Sequence, residues 1–356
     1  MIKYIGSKRK LVADLLRCVS ALPRVRTVLD LFSGTARVST ALRDQGYEVT
    51  ANDHNHYAHT LASCYVAADP GVLREPAERA IAELNKLPGA PGYFTRTFCE
   101  DARYFQPKNG ARIDAIREAI ARMPLTAALE SVLLVSLMEA ADRVDSTVGL
   151  QMAYLKQWAP RAYNDLELRL PELSAGPIGR ALRMEAEACA RIGSYDVVYI
   201  DPPYNQHKYL NNYHVWESLV RWDKPEVYGI ARKRIDCQRY DSAYNSRRRI
   251  HAALTDLVDN LDARYLVVSF NNEGYVSEAE LREILARRGP VAVQRVDFAR
   301  YVGAKIGIYN PAGVKTGTVG RLKNQELIFV VACEGELPAD LRAFDRAHAV
   351  DEPVSI

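Results

Sequence analysis

The segment TVLDLFSGTARVSTALRDQGYEVTAND, residues 27–53, has the pattern of a strand, a glycine turn, a helix and a second strand. An apolar run over residues 28–32 stops at a Ser-Gly pair, which predicts a buried strand entering a tight turn. Residues 37–45 place apolar side chains at helical spacing and end at a glycine, a common residue after a helix. Residues 47–51 are rich in strand formers. This succession predicts the opening of a doubly wound α/β sheet.

The strand pattern returns in the second half of the chain. Several of the later runs are nearly continuous in apolar and β-branched residues, which is typical of strands covered on both faces. Strands are predicted at residues 181–186, 195–200, 264–270, 291–298 and 326–333. Helices are predicted between them at residues 213–221, 248–261 and 277–288.

Residues 67–180 lack this alternation of strands and helices. Prolines punctuate this region, and helical patterns dominate it, at residues 72–87, 111–123, 126–141 and 150–158. We therefore expect a discontinuous α/β domain over residues 1–66 and 181–335, a mainly helical insertion over residues 67–180 and a C-terminal tail over residues 336–356.

The composition excludes several classes of protein. Hydrophobic residues make up 48% of the 356 residues and charged residues 26%, which is ordinary for a globular protein. No apolar run is long enough to cross a membrane, and the polar, basic first ten residues do not resemble a secretory signal. The six cysteines lie singly, without a CxxC pair, which disfavours a zinc site and favours a reducing cytoplasm. The histidines at positions 54, 56 and 59 lack supporting ligands, so no metal is expected.

Arginine dominates the basic residues, with 35 arginines against 12 lysines in a chain of net charge +3. Arginine forms bidentate contacts with phosphates and guanine edges that lysine cannot form. Residues 1–26 carry seven basic side chains and one acidic, and residues 232–249 carry seven basic and two acidic. A basic run is either a solvated face or a nucleic-acid contact, and the charge pattern alone leaves both open.

Asp201-Pro202-Pro203-Tyr204 follows directly after the predicted strand that ends at Ile200. In open α/β sheets, ligands bind outside the carboxyl ends of the strands. Two adjacent prolines remove two amide donors, so the Asp201 carboxylate and the backbone carbonyls form a cluster of acceptors. Such a cluster suits a substrate amino group with two hydrogens to donate, and Tyr204 adds an aromatic face for a flat ring.

A second candidate site lies at the first glycine turn, residues 30–36. Glycine lets a nucleotide-type cofactor approach the backbone closely. Asp53 ends the next predicted strand, 23 residues after Asp30, and this spacing suits a carboxylate that accepts from a ribose hydroxyl. The dinucleotide fingerprint GxGxxG is absent, which disfavours a nicotinamide or flavin oxidoreductase.

Together the two sites resemble those of the DNA adenine methyltransferases that use S-adenosylmethionine. In the Dam-like group of this family the cofactor motif precedes the target-recognition region and the DPPY loop follows it. Residues 3–8, KYIGSK, resemble the family's N-terminal cofactor motif, with a serine in place of its second glycine. The turn at residues 30–36 resembles the FxGxG turn, with Ala36 in place of the second glycine. The resemblance covers residues 1–66 and 181–333.

The resemblance implies a Rossmann-like methyltransferase sheet with a mainly helical inserted target-recognition domain. It implies S-adenosylmethionine as the methyl donor, with S-adenosylhomocysteine as product, and double-stranded DNA as substrate, with the target adenine flipped out of the duplex. The residues implied to bind the cofactor are Tyr4, Lys8, Asp30, Phe32, Gly34, Asp53 and Glu187, with Glu185 a rival for Glu187. The residues implied to hold the adenine are Asp201, Pro202, Pro203 and Tyr204.

In this context the basic segment 232–249 is predicted to contact DNA, because it interleaves tyrosines with arginines. The predicted DNA-contacting residues are Arg143 in the insertion and Arg232, Lys233, Arg234, Arg239, Arg247 and Arg248. A cognate restriction endonuclease is an optional partner of such an enzyme, and no membrane partner is expected.

Two alternative functions remain open from the sequence. Methyltransferases that act on N4 of cytosine more often carry serine where Asp201 stands, so Asp201 favours adenine. A non-catalytic DNA-binding relative is disfavoured because Asp201, Tyr204, Asp53 and Lys8 are all present.

Overall fold

The computed structural model describes residues 1–272, 274–299 and 323–346. The strands within these ranges are β1 Thr27–Asp30, β2 Glu48–Asn52, β3 Arg180–Leu182, β4 Tyr195–Ile200, β5 Val227–Tyr228, β6 Lys233–Arg234, β7 Ala263–Asn271, β8 Val291–Ala299 and β9 Lys323–Ala332.

The α-helices within the same ranges are α1 Val12–Ser20, α2 Arg37–Asp44, α3 His56–Ala62, α4 Pro70–Lys86, α5 Pro107–Arg122, α6 Ala127–Arg143, α7 Ala186–Cys189, α8 Tyr209–Asn212, α9 His214–Arg221, α10 Ile250–Asn260, α11 Glu278–Ala286 and α12 Ala339–Arg346. Short 3-10 helices lie at Lys8–Lys10, Pro160–Tyr163, Ile235–Gln238 and Ala243–Asn245, and short π-helices at Ser63–Ala67 and Thr95–Glu100.

The chain divides into two compact units, one with three sheet strands and the other with four. The first unit comprises Met1–Leu16, Arg26–Ile192 and His207–Ser242, and its strands lie in the order β3–β2–β1, all parallel. The second unit comprises Arg17–Val25, Gly193–Gln206 and the residues from Ala243 on.

The second unit holds four strands in the order β4–β7–β9–β8. Strands β4 and β7 are parallel, whereas β9 is antiparallel to both of its neighbours. A mostly parallel sheet with helices in the connections is the Rossmann-like arrangement, so the predicted fold class is confirmed. The strand pattern is informative because β1, β4 and β7 are buried almost throughout and therefore need apolar residues on both faces.

The region predicted as an insertion, residues 67–180, contains the three long helices α4, α5 and α6 and belongs to the first unit. Helix α6 packs against α4 and α5, and it buries the predicted apolar positions Val132, Leu133 and Leu137. That residues 67–180 form a separate domain stays a prediction. Residues 300–322 and 347–356, which belong to the predicted catalytic domain and tail, lie outside the described residues.

The helix predicted over residues 150–158 is wrong, because this segment is irregular. The backbone of Gln151 bonds to distant residues instead of to its own neighbours. Its N–H donates to the Asn212 carbonyl at 2.9 Å, and its carbonyl accepts from His214 Nε2 at 2.7 Å. These long-range bonds replace the local i to i+4 bonds that a helix requires.

Five of the six cysteines are buried, Cys333 is partly exposed, and all six are free thiols. None of the described helices is both long and apolar enough to cross a membrane. The part of the chain that the structure describes contains no group of three or more histidine, cysteine or acidic side chains placed to hold a metal ion.

Candidate active site

The carboxyl ends of β1, β2 and β3 are joined by Asn52, the last residue of β2. Its Nδ2 donates to the Leu31 carbonyl at 3.1 Å and to the Met184 carbonyl at 3.2 Å, and its Oδ1 accepts from the Met184 N–H at 3.1 Å. The residue is only 1% exposed. It therefore fixes the edge of the sheet at which α/β proteins bind ligands. Sequence reasoning missed Asn52, because an asparagine after a strand is also a common turn residue.

The glycine turn after β1 is fastened to Asp53 at this edge. Gly34 has a φ of +51°, a left-handed conformation that glycine adopts without strain, and its N–H donates to Asp53 Oδ2 at 3.1 Å. Asp53 Oδ1 accepts from the Asn55 N–H at 2.9 Å. Because each carboxylate oxygen can accept more than one hydrogen bond, Asp53 keeps capacity for a ribose hydroxyl. The turn and the carboxylate therefore fit a cofactor that contains a nucleoside.

Tyr4, from the N-terminal motif, lies in a cluster of four tyrosines. Its ring stacks on Tyr213, with centroids 4.4 Å apart, and on Tyr209, with centroids 5.3 Å apart. Its hydroxyl lies 3.1 Å from that of Tyr57, and burial raises the pKa of the Tyr4 phenol, which is therefore neutral. A Cβ at residue 34 would lie 3.4 Å from the Tyr4 ring, an ordinary van der Waals contact, so the positive φ and not a lack of space favours glycine there.

The three partners of Tyr4 were not predicted from the sequence. Tyr209 and Tyr213 are four residues apart, a spacing that brings side chains to one face of a helix. In a chain with 20 tyrosines this spacing does not stand out. The contact with Tyr4 depends on tertiary packing, which no local pattern encodes.

The other residues predicted to bind the cofactor also lie in the first unit. Lys8 is buried, at 7% exposure, in the first 3-10 helix, and Asp30 is buried at the end of β1, where it accepts from a serine hydroxyl of α2. Phe32 is half-buried. Glu187 is half-buried in α7, whereas its rival Glu185 is exposed. Contact of these side chains with the cofactor stays a prediction.

The predicted catalytic loop, Asp201 to Tyr204, lies in the second unit and directly follows β4. Pro202 is buried and the other three residues are half-buried. The Tyr204 ring packs against Phe270 with centroids 5.3 Å apart, and the Tyr204 carbonyl accepts from the Tyr275 N–H at 2.9 Å. Strand β7 and the turn after it therefore hold the end of the loop.

The surroundings of Arg234 contradict one of the predicted DNA contacts. The residue is 1% exposed, and two of its guanidinium nitrogens donate to the two carboxylate oxygens of Asp223 at 2.7 and 2.8 Å. It also donates to Asp236 at 2.8 Å. A buried guanidinium whose donors are engaged by two carboxylates cannot reach a phosphate, so the predicted contact is wrong. Arg234 stabilises the segment in which it lies.

The remaining predicted DNA-contacting residues fall into two groups. Three are exposed, namely Arg239, Arg247 and Arg248. Three are half-buried, namely Arg143, Arg232 and Lys233. Arg232 pairs with Asp101 at 3.5 Å, and Arg143 donates to the Glu167 carbonyl at 2.7 Å, so both have partners within the protein. Contact of these six residues with DNA stays a prediction.

The parallel strand ends, the glycine turn and the acidic residue after β2 define a class of enzyme that binds a nucleoside-containing cofactor at the edge of a Rossmann-like sheet. Comparison with known families identifies the class more closely. The family model for the D12 class N6 adenine-specific DNA methyltransferases matches residues 4–284. The chain belongs to this family. It is therefore an enzyme that methylates adenine in DNA, with S-adenosylmethionine as the methyl donor, and the cytosine and non-catalytic alternatives are set aside.

Several characterised proteins are similar to this chain. The Type II methyltransferase M.NlaIII of Neisseria lactamica is 29% identical over 318 residues, which cover 85% of this chain and 93% of that protein. The Type II methyltransferase M.CviAII of Paramecium bursaria Chlorella virus 1 is 26% identical, and the match covers 90% of that protein. Modification methylase StsI of Streptococcus sanguinis is 29% identical, but the chain spans only 49% of its length.

Proposed function

We propose that this protein is a site-specific modification methylase in which the loop Asp201 to Tyr204 holds the flipped adenine. The observation that carries the proposal is the position of the loop immediately after β4, in a family that methylates N6 of adenine. Similarity to Type II methyltransferases over most of the chain supports a role in restriction and modification, with a cognate endonuclease as partner. A DNA substrate implies that the enzyme works in the compartment that holds the DNA.

The chemistry requires that a weak nucleophile be oriented. S-Adenosylmethionine supplies an electrophilic methyl group when it is bound. The exocyclic nitrogen of adenine is a poor nucleophile, since its lone pair is delocalised into the ring. In the proposed mechanism the Asp201 carboxylate and the Pro202 carbonyl accept the two hydrogens of the amino group and direct its lone pair out of the ring plane. Positioning and electrostatics of this kind supply most of the rate enhancement.

Tyr204 has a separate role in the proposed mechanism. A base inside a duplex cannot reach a loop of this kind, so the adenine must leave the stack. Unstacking costs a few kcal/mol, which stacking on the Tyr204 ring offsets in part. In the transfer, the adenine nitrogen gains the methyl group as the bond between that methyl carbon and the sulfonium sulfur breaks, so that S-adenosylhomocysteine leaves. The nitrogen then loses one proton, for which the Asp201 carboxylate is the proposed acceptor.

The test is methylation of unmethylated DNA by the purified protein, with nucleosides measured by mass spectrometry after digestion. The wild type is expected to yield N6-methyladenine. Asp201→Ala is expected to reduce the rate at least 100-fold, because it removes an electrostatic contact to the reacting group. Asp165→Ala is the matched control, since its side chain is 90% exposed and lies outside the proposed site.

Each outcome has a definite meaning. Equal rates for the wild type and Asp201→Ala would contradict the role of the loop. Methylcytosine in place of methyladenine would contradict the target base. Mapping of the modified positions on DNA then gives the recognition sequence, and a cognate endonuclease is expected to cut that sequence only when it is unmethylated.

A further inference from the structure

Tyr240 belongs to the basic segment 232–249, yet it lies beside the residues that follow β2 in the first unit. Its ring is parallel to that of His54, with an interplanar angle of 2° and centroids 4.9 Å apart. His54 directly follows Asp53, the acidic residue assigned to the ribose. The segment predicted to contact DNA therefore also reaches the proposed cofactor site.

An acidic side chain lies beside this ring pair, since His54 Nδ1 is 3.7 Å from Asp53 Oδ1. Burial raises the pKa of the Tyr240 phenol, and the negative charges of Glu185, Asp53 and Glu187 raise it further. His54 Nε2 is buried and has no hydrogen-bond partner among the described residues. A flat aromatic surface beside several acceptors complements adenosine, because adenine has an apolar face and both its amino group and the ribose hydroxyls are donors.

Lys208, which follows the loop Asp201 to Tyr204 in sequence, contacts the backbone of Tyr240. Lys208 Nζ donates to the Tyr240 carbonyl and lies 6.0 Å from the centroid of the Tyr240 ring. The residue before Tyr240, Arg239, is exposed. An exposed arginine therefore directly precedes, in the sequence, a tyrosine whose ring stacks on His54.

We propose that the Tyr240–His54 ring pair is an aromatic wall of the adenosine pocket that retains bound S-adenosylmethionine, and that contact of Arg239 with a DNA phosphate fixes this wall. The proposal rests on the proposed function and on the prediction that Asp53 and Glu187 bind the cofactor. A consequence is that DNA and cofactor bind cooperatively, each strengthening the binding of the other by the same factor.

The experiment measures the dissociation constant of S-adenosylmethionine by calorimetry, with and without a short DNA duplex that contains the mapped site. Tyr240→Ala is expected to weaken binding about tenfold, since stacking of one base on an aromatic ring has about this effect. Tyr240→Phe keeps the ring and is expected to bind as the wild type does. His54→Ala removes the same stack from the other side and is expected to match Tyr240→Ala.

The effect of DNA provides a readout that general damage to the fold would not reproduce. The duplex is expected to tighten cofactor binding by wild type and Tyr240→Phe, and to have no effect on Tyr240→Ala. Tyr163→Ala is the matched control, because this tyrosine is 60% exposed and is not one of the residues of the proposed pocket. It is expected to behave as the wild type.

Unchanged cofactor binding in both Tyr240→Ala and His54→Ala would overturn the proposal. Tighter binding in Tyr240→Ala would overturn it as well, since the ring would then obstruct the pocket. The proposed function fails in a different way, by equal methylation rates in the wild type and Asp201→Ala, whatever the affinity for the cofactor.

Discussion

Arg234 and Arg239 lie five residues apart in one basic segment, yet their surroundings differ completely. Arg234 is buried between Asp223 and Asp236, whereas Arg239 is exposed. Burial alone would raise the pKa values of the two carboxyl groups, but hydrogen bonds from Arg234 and its charge lower them. Both carboxylates are therefore charged at neutral pH, and they are compensated by Arg234 together with Arg221, which also contacts both.

Arg234→Ala is expected to lower the free energy of unfolding by about 2 kcal/mol, because it removes the buried guanidinium that bonds both carboxylates and leaves Arg221 as their remaining counter-ion. Urea unfolding followed by circular dichroism measures the change. Arg239→Ala is the matched control and is expected to stay within about 0.5 kcal/mol of the wild type, while it weakens DNA binding. A similar loss of stability in both variants would contradict the assignment of Arg234 to structure and Arg239 to binding.

Among the secondary-structure elements, the strands could be predicted from local sequence patterns, whereas the loops could not. Strand β4 has the predicted bounds, since five of its six residues are of strand-forming type and specify a buried strand almost alone. The irregular segment around Gln151 could not be predicted, because its partners at Asn212 and His214 are some 60 residues away. The same reason hides the bond between Gly34 and Asp53 and the stack on Tyr4. The sequence motifs identify individual residues of the candidate site, whereas the contacts around those residues depend on tertiary packing.

The contact between Gln151 and the start of α9 makes stability depend on pH. His214 is fully buried, and burial lowers its pKa from 6.5 to about 3. Below about pH 6.5 the unfolded chain takes up a proton that the folded chain does not. The contribution of His214 to stability is therefore fully present above pH 6.5 and is lost as the pH falls toward 3.

The wild type is expected to lose about 1.4 kcal/mol of unfolding free energy per pH unit below pH 6.5 from this residue. His214→Gln cannot titrate, so the difference between wild type and variant should shrink with that slope as the pH falls. Urea unfolding at pH 7.0, 6.0 and 5.0 measures it. A constant difference across this range would show that His214 has the same pKa in the folded and the unfolded protein, which would contradict the effect of its burial.

At the scale of the whole molecule, the net charge of +3 conceals a local excess of arginine. Binding to DNA depends on the local excess, because each neutralised phosphate releases counter-ions and makes affinity depend on salt. The exposed residues Arg247 and Arg248 lie in this excess, just before α10.

The double variant Arg247→Ala/Arg248→Ala is expected to weaken binding to any duplex. It is also expected to reduce the slope of log affinity against log salt by about one unit for each phosphate that the variant no longer neutralises. Fluorescence anisotropy with duplexes of different sequence measures both quantities. Arg342→Ala, with a side chain 54% exposed, is the control. An unchanged slope in the double variant would place the DNA elsewhere on the protein.

The buried cysteines have a practical consequence for observing these events. Burial raises the pKa values of the Cys189 and Cys237 thiols to about 11, so both are almost entirely protonated and unreactive near pH 7. Once Cys333, which is partly exposed, is replaced by serine, a cysteine introduced at Ser242 becomes the preferred target for a maleimide dye. Such a fluorophore, two residues from Tyr240, would report in real time whether the segment moves when cofactor or DNA arrives.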